Sequence, residues 1–166
     1  MKIARRQFLH AGSTLAALGA VGALTFNSRR AAAATEATFE VTHTEEEWKK
    51  ILSPNAFQVL RKEATERPFS SPLNDEHRKG SFRCAGCDLD LYSSETKFES
   101  GTGWPSFWQP LDKAIGTTTD RTFGMARTAV HCRRCGGHLG HVFNDGPKPT
   151  GLRYCMNGLA MKFLPA

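Results

Sequence analysis

The chain lacks the long apolar segment of a membrane helix. Its longest uncharged apolar stretch, "AGSTLAALGAVGALTF" (11–26), is 16 residues rich in Gly and Ala, short of the ~20 that a span requires. It also lacks a lasting excess of charge. Residues 1–34 carry Lys2, Arg5, Arg6, Arg29 and Arg30 and no acid, so residues 35–166 hold 17 of the 22 basic residues against all 16 acids, a formal charge of +1. The overall basicity belongs to the N-terminus, and no basic field remains to favour nucleic acid. Cysteine is scarce and odd in number. Four of the five fall in two CxxC pairs, Cys84/Cys87 and Cys132/Cys135, and Cys155 is left over.

What is present divides at residue 34. Arg5 and Arg6 of "ARRQFLH" precede the apolar stretch, and Ala31–Ala34 follow it. A basic n-region, an apolar h-region and small residues suited to cleavage make a secretory signal. The paired arginines before Phe8-Leu9 resemble the twin-arginine export signal, an address read by a receptor. Residues 1–34 are therefore expected to direct export to the periplasm, or to anchor the chain to the membrane if left uncleaved. Residues 35–166 are expected to form one monomeric domain, large enough for a real core.

In that domain, Thr44 and Glu47 of "TEEEW" predict a capping box. The helix behind it should bury Trp48, Ile51 and Leu52. Ser53-Pro54 predicts a second helix start, with Phe57, Leu60 and Ala64 on one face. "TERPFSSPLND" reads as loop. From Gly80 the pattern changes to short β-type runs: "SFRC", "DLDLY", "KFES", "SFWQP", "TFGMARTAVHC", "GHVFN" and "LRYCMNGLAMKF". Runs this close leave no room for parallel crossovers. The expected fold is mainly β with minor α: two small antiparallel sheets packed together and fronted by short helices.

The CxxC pairs stand 44 residues apart. Each spacing lets one tight turn present two thiolates to one ion, and Zn2+ favours four tetrahedral ligands. Cys84, Cys87, Cys132 and Cys135 are thus read as a structural, zinc-ribbon-like four-cysteine site holding one Zn2+. A filled shell leaves no open position for chemistry. Two disulfides, or four buried thiols, are the alternatives; export to an oxidising compartment raises the case for disulfides, but the twin-arginine route carries already folded, often metal-loaded proteins, so zinc remains the favoured reading.

The segments "KFESGTGWPSF", "GHLGHVFNDGP" and "GLRYCMN", with both CxxC pairs and "TERPFS", resemble the methionine sulfoxide reductase B family in content and order from about Phe39 to Phe163. The resemblance implies thiol-dependent reduction of methionine-R-sulfoxide in peptides and proteins. It implies Cys155 as nucleophile and a sulfenic acid intermediate. It places His141 as a polarising or proton-donating group with His138 near it, and Asn157 hydrogen-bonding near the thiol. Trp104 would receive the substrate methyl, with Phe143 lining the same pocket. Arg153, two residues from Cys155, should lower the thiol pKa and be anchored by Asp145. Since His138 and His141 are three apart, a bend at Gly140 must decide whether both reach the site.

One departure from the family matters. Many members read "SGCGW", with a recycling cysteine, where this chain reads "SGTGW" with Thr102. The oxidised Cys155 is then expected to be reduced by an external partner, a thioredoxin-like protein or a small thiol. Two other function classes fit parts of the sequence. In a non-catalytic zinc-ribbon binding module, Cys155, His141 and Trp104 would be packing residues. A disulfide oxidoreductase would use "CAGC" as its redox pair.

Overall fold

The structure, a computed structural model, describes residues 39–166. The expected signal segment, residues 1–34, lies outside the described residues.

Among the described residues, two α-helices come first. Helix α1, Glu45–Ile51, starts at the expected capping box: the Thr44 hydroxyl accepts from Glu47 N, and Glu47 accepts from Thr44 N at 2.8 Å. Such a cap stabilises by about 1 kcal/mol. Helix α2, Pro54–Lys62, is capped by the Ser53 hydroxyl on Ala56 N and ends where Glu63 turns left-handed. Trp48, Leu52, Ala56, Phe57, Val59 and Leu60 are buried. Ile51, expected beside Trp48, is instead about half exposed, and Ala64 lies past the end of α2.

Nine short strands follow: β1 Gly80–Cys84, β2 Asp90–Ser93, β3 Lys97–Phe98, β4 Ser106–Phe107, β5 Ile115–Asp120, β6 Arg127–Cys132, β7 His138–Phe143, β8 Arg153–Met156 and β9 Met161–Pro165. They form a three-stranded sheet, β2-β1-β9, and a six-stranded sheet, β3-β4-β8-β7-β6-β5. All the pairings are antiparallel.

The sheets meet through aromatic side chains. Tyr92 of β2 stacks on Phe107 of β4 with centroids 4.3 Å apart, and Phe82 of β1 meets Phe107 edge-on. The buried Tyr92 hydroxyl donates to Met156 Sδ at 3.2 Å. Each fully buried side chain such as Phe82, Leu91 or Phe107 stabilises by about 1.5–3 kcal/mol. This core fixes which face of the larger sheet is free for a site. Phe107, Val130 and Met156 are fully buried on the core side, so their strand neighbours Ser106 and Cys155 point to the other face.

Two elements differ from the sequence reading. Strand β5, "IGTTTD", was not anticipated; it is an edge strand, and its threonines are exposed. "LRYCMNGLAMKF" is not one strand: β8 ends at Met156, a 3-10 turn spans Gly158–Ala160, and β9 joins the other sheet.

Candidate active site

The two CxxC segments fold into matching knuckles. In the first, Asp88 N donates to Cys84 O and Cys84 N to Leu89 O; in the second, Gly136 N donates to Cys132 O and Cys132 N to Gly137 O. The fifth residue of each turn is left-handed, Asp88 at φ 56° and Gly136 at φ 69°, a conformation that Gly and Asp tolerate best. The four sulfurs lie within 4.8 Å of one another. Cys84 Sγ is 3.7 Å from Cys135 Sγ, and Cys87 Sγ is 3.5 Å from Cys132 Sγ. All five cysteines are free in this structure, and neither of these pairs is near the ~2.05 Å of a disulfide. Four ligands at the ~2.3 Å Zn–S distance stand about 3.8 Å apart, so the set fits a tetrahedral ion. Packing four thiols together splits their acidities: hydrogen bonds from Cys135, Cys84 and Cys87 drive Cys132 down, while those with Cys132, Cys135 and Cys87 drive Cys84 up. A cation among them would relieve that conflict by holding all four as thiolates.

The second constellation is built on β7 and β8. His141 lies directly opposite Cys155, and Phe143 opposite Arg153. Alternation along each strand puts these four side chains in one block on the sheet face away from the core. Gly140 makes the ladder possible, since a Cβ there would come within 2.1 Å of Cys155 O.

A bulge brings in His138. Between Val130↔Gly140 and His131↔His138, β6 advances one residue and β7 two. The extra residue returns His138 to the face of His141, and their rings meet edge-on with centroids 5.4 Å apart. Both histidines thus reach one place. Burial pushes the His138 pKa down to about 4, with His141 adding to the shift. Its Nε2 is buried with no hydrogen-bond partner.

His141 Nε2 lies 2.9 Å from Asp120 Oδ2. Asp120 closes β5, and it also binds Arg127 and the hydroxyl and amide of Thr122. The two Thr122 bonds, followed by those from His141 and Arg127, hold its carboxyl far below the usual range.

Arg153 is buried and grips Asp145 through Nε and Nη2, both at 2.9 Å, with its guanidinium 4.5 Å from the Phe143 ring centre. On its other side, Cys155 faces Thr102, whose Oγ1 is 3.9 Å from Sγ. Arg153 lowers the thiol pKa as expected, but the net shift is upward. Desolvation pushes Cys155 up, and Thr102 and Arg153 pull it back only in part.

Asn157 lies past the end of β8, not along it, and hydrogen-bonds away from the thiol: it donates to Leu139 O and accepts from Glu66 N, each at 3.0 Å. Trp104 is half-buried, and its Nε1 donates to Glu66 O at 3.1 Å. Glu66, within "TERPFS", is therefore a hub that no motif or spacing in the sequence singles out. Its buried carboxylate also accepts from Gly158 N and Leu159 N, at 2.6 and 3.0 Å. One residue thus fixes Trp104, Asn157 and the turn after β8. Asp120 was also missed, because the strand that carries it was missed.

Fold and site together define a small two-sheet β protein, clamped by a four-cysteine centre and carrying one separate thiol opposite a histidine–aspartate pair. Comparison with known proteins narrows the class. The SelR domain matches residues 52–165. A peptide methionine sulfoxide reductase MsrB of Leptospira interrogans is 51% identical over 126 residues, covering 75% of this chain and 96% of that protein. Proteins of the same name from Bradyrhizobium diazoefficiens and Methanosarcina barkeri are each 52% identical, over 127 and 124 residues; they are covered to 91% and 87%, by 76% and 74% of this chain. The chain belongs to the methionine sulfoxide reductase B family.

Proposed function

We propose that this protein reduces methionine-R-sulfoxide in peptides and proteins to methionine, with Cys155 as nucleophile. The observation that carries this reading is the register of β7 and β8, which sets His141 opposite Cys155 in the centre of the site. Sγ attacks the sulfoxide sulfur, the S–O bond of the substrate breaks, and the oxygen passes to Cys155. Atoms balance without a further reactant: Cys–SH and the sulfoxide give Cys–SOH and methionine. The proton that leaves the thiol is the one the departing oxygen needs, and in this reading His141, held by Asp120, carries it. Trp104 and Phe143 supply apolar surface for the S-methyl group, and Arg153 draws the thiol toward ionisation.

The sulfenic acid then meets an external thiol. The first equivalent forms a mixed disulfide and releases water; the second releases Cys155 as thiol and leaves as disulfide. Thr102 cannot take the first role, and the other four cysteines form the knuckles. The donor set of four cysteine sulfurs supports Zn2+ as the resident ion, where it would hold the two knuckles together and take no part in the chemistry. The leader "ARRQFLH…" supports twin-arginine export, a periplasmic working site and oxidised envelope proteins as substrates. The domain is proposed to act as a monomer.

The test is a single turnover without reductant. Wild-type protein should convert about one equivalent of an R-sulfoxide peptide and gain one oxygen on the Cys155 peptide, trappable by dimedone. Conversion by Cys155→Ser would rule the nucleophile out.

A further inference from the structure

Thr102 stands where many relatives carry a second cysteine, and its surroundings give it a different use. Its Oγ1 is 3.9 Å from Cys155 Sγ and 2.8 Å from Ser100 Oγ. Ser100 Oγ is 2.7 Å from Ser106 Oγ, and Ser106 Oγ is 3.1 Å from the Trp104 carbonyl oxygen. Thr102 N also donates to Ser100 Oγ, at 3.4 Å. Ser106 is fully buried on β4, directly opposite Cys155 on β8. The three hydroxyls therefore make a chain that leaves the thiol on one side and returns beneath it.

Each hydroxyl has one proton to donate and can accept. Oxygens 2.7 and 2.8 Å apart need one proton between each pair, so the three O–H bonds cannot turn independently. Two orientations satisfy the chain. With Cys155 as thiol, S–H donates to Thr102, Thr102 to Ser100, Ser100 to Ser106 and Ser106 to Trp104 O. With Cys155 as thiolate, every arrow reverses: Ser106 donates to Ser100, Ser100 to Thr102 and Thr102 to Sγ. Only the bond to Trp104 O is given up, and a charge-assisted bond to sulfur is gained. No heavy atom needs to move.

We propose that Thr102, Ser100 and Ser106 form a reversible hydroxyl relay whose direction follows the protonation of Cys155, with Thr102 as the catalytic donor that stabilises the thiolate. The inference rests on the reading of Cys155 as the nucleophile. Thr102 supplies on demand the donor that a buried thiolate requires, in a site where burial otherwise disfavours ionisation. It is also among the groups that ease the ionisation of Cys155. The charged groups around the sulfur are few. Arg153 with Asp145 comes from its own strand and the preceding loop, and His141 with Asp120 faces it from β7. From β4 comes Ser106, which carries no charge.

The relay makes an unusual prediction of sign. Removing the Thr102 hydroxyl takes away the donor that the relay presents to sulfur and leaves Arg153 as the other group easing ionisation. Removing the Ser106 hydroxyl costs the thiol orientation two bonds, Ser100 to Ser106 and Ser106 to Trp104 O, but costs the thiolate orientation one, Ser106 to Ser100, and spares the Thr102 bond to sulfur. The experiment is the pH dependence of iodoacetamide alkylation of the whole protein with its metal retained, read on the Cys155 peptide by mass spectrometry. Thr102→Val should raise the midpoint by about one pH unit, which is about tenfold slower alkylation below it. Thr102→Ser should restore the wild-type midpoint. Ser106→Ala should leave it unchanged or lower it. An unmoved midpoint in Thr102→Val, or a rise in Ser106→Ala, would overturn the relay. If Thr102→Val fails to fold, the sign in Ser106→Ala decides. Packing loss alone would move both variants the same way. Because alkylation needs no substrate, this result stands apart from the reductase assay: absence of Cys155-dependent sulfoxide reduction would refute the proposed function and leave the relay to its own test.

Discussion

His141 Nε2 and Asp120 Oδ2 lie 2.9 Å apart, joining the central strand β7 to the end of the edge strand β5 across the width of β6. The contact fixes one imidazole nitrogen and so the orientation of the ring that stands opposite Cys155. An aspartate on an edge strand thereby governs the orientation of a group at the centre of the sheet.

Asp120→Asn keeps an acceptor for Thr122 and Arg127 but removes the charge beside His141. We expect kcat/KM to fall by about 10- to 100-fold, mostly in kcat, because proton transfer loses part of its usual 10²–10⁴-fold contribution. A rate within about twofold of wild type would show that the pairing only braces β5.

His138 gives stability a definite pH dependence. Its pKa is lowered from 6.5 to about 4 by burial. Between those values the unfolded chain binds the extra proton and the folded protein does not, so stability rises with pH across this window. It is fully present above pH 6.5 and falls away toward pH 4. A shift of this size corresponds to about 3 kcal/mol. Urea midpoints measured from pH 7 to pH 4 should show the fall, and His138→Gln should flatten it. A variant with the wild-type slope would assign the effect elsewhere.

Glu66→Ala strands the amides of Gly158 and Leu159, which the carboxylate now satisfies. Each orphaned buried group costs about 1–3 kcal/mol, so the loss should be about 2–5 kcal/mol by urea unfolding. Trp104 and Asn157 bond to the Glu66 main chain, so their positions depend on the same anchor. A loss under about 0.5 kcal/mol, the range of an ordinary surface change, would mean that water replaces the carboxylate.

The metal centre should yield one zinc per chain by elemental analysis. Cys84→Ser should lose both the metal and cooperative unfolding, because a structural zinc site contributes folding free energy directly. Isolation of a folded protein with two disulfides and no metal would contradict this assignment.

Much of this was legible in the sequence where the cause is local. The Thr44–Glu47 box and the Ser53-Pro54 start need only neighbouring residues, and both form as read. The CxxC spacing already implies a turn that carries two sulfurs. Strand β5 was hidden because an exposed edge shows no alternation of apolar and polar residues: Thr117, Thr118 and Thr119 all face solvent. With it went Asp120. The bulge in β7 depends on pairing with β6, so "HLGH" alone could not say whether its histidines share a face. Arg153 and Asp145 pair as expected, but the acidity of Cys155 did not follow. Charge partners can be read from spacing, whereas desolvation depends on everything packed around the thiol.

The most direct test of the central claim is steady-state turnover of the two epimers of a methionine sulfoxide peptide with dithiothreitol as sole reductant, in wild type and Cys155→Ser. The R epimer alone should be reduced, and by wild type alone. Equal turnover by Cys155→Ser, or reduction of both epimers, would contradict it.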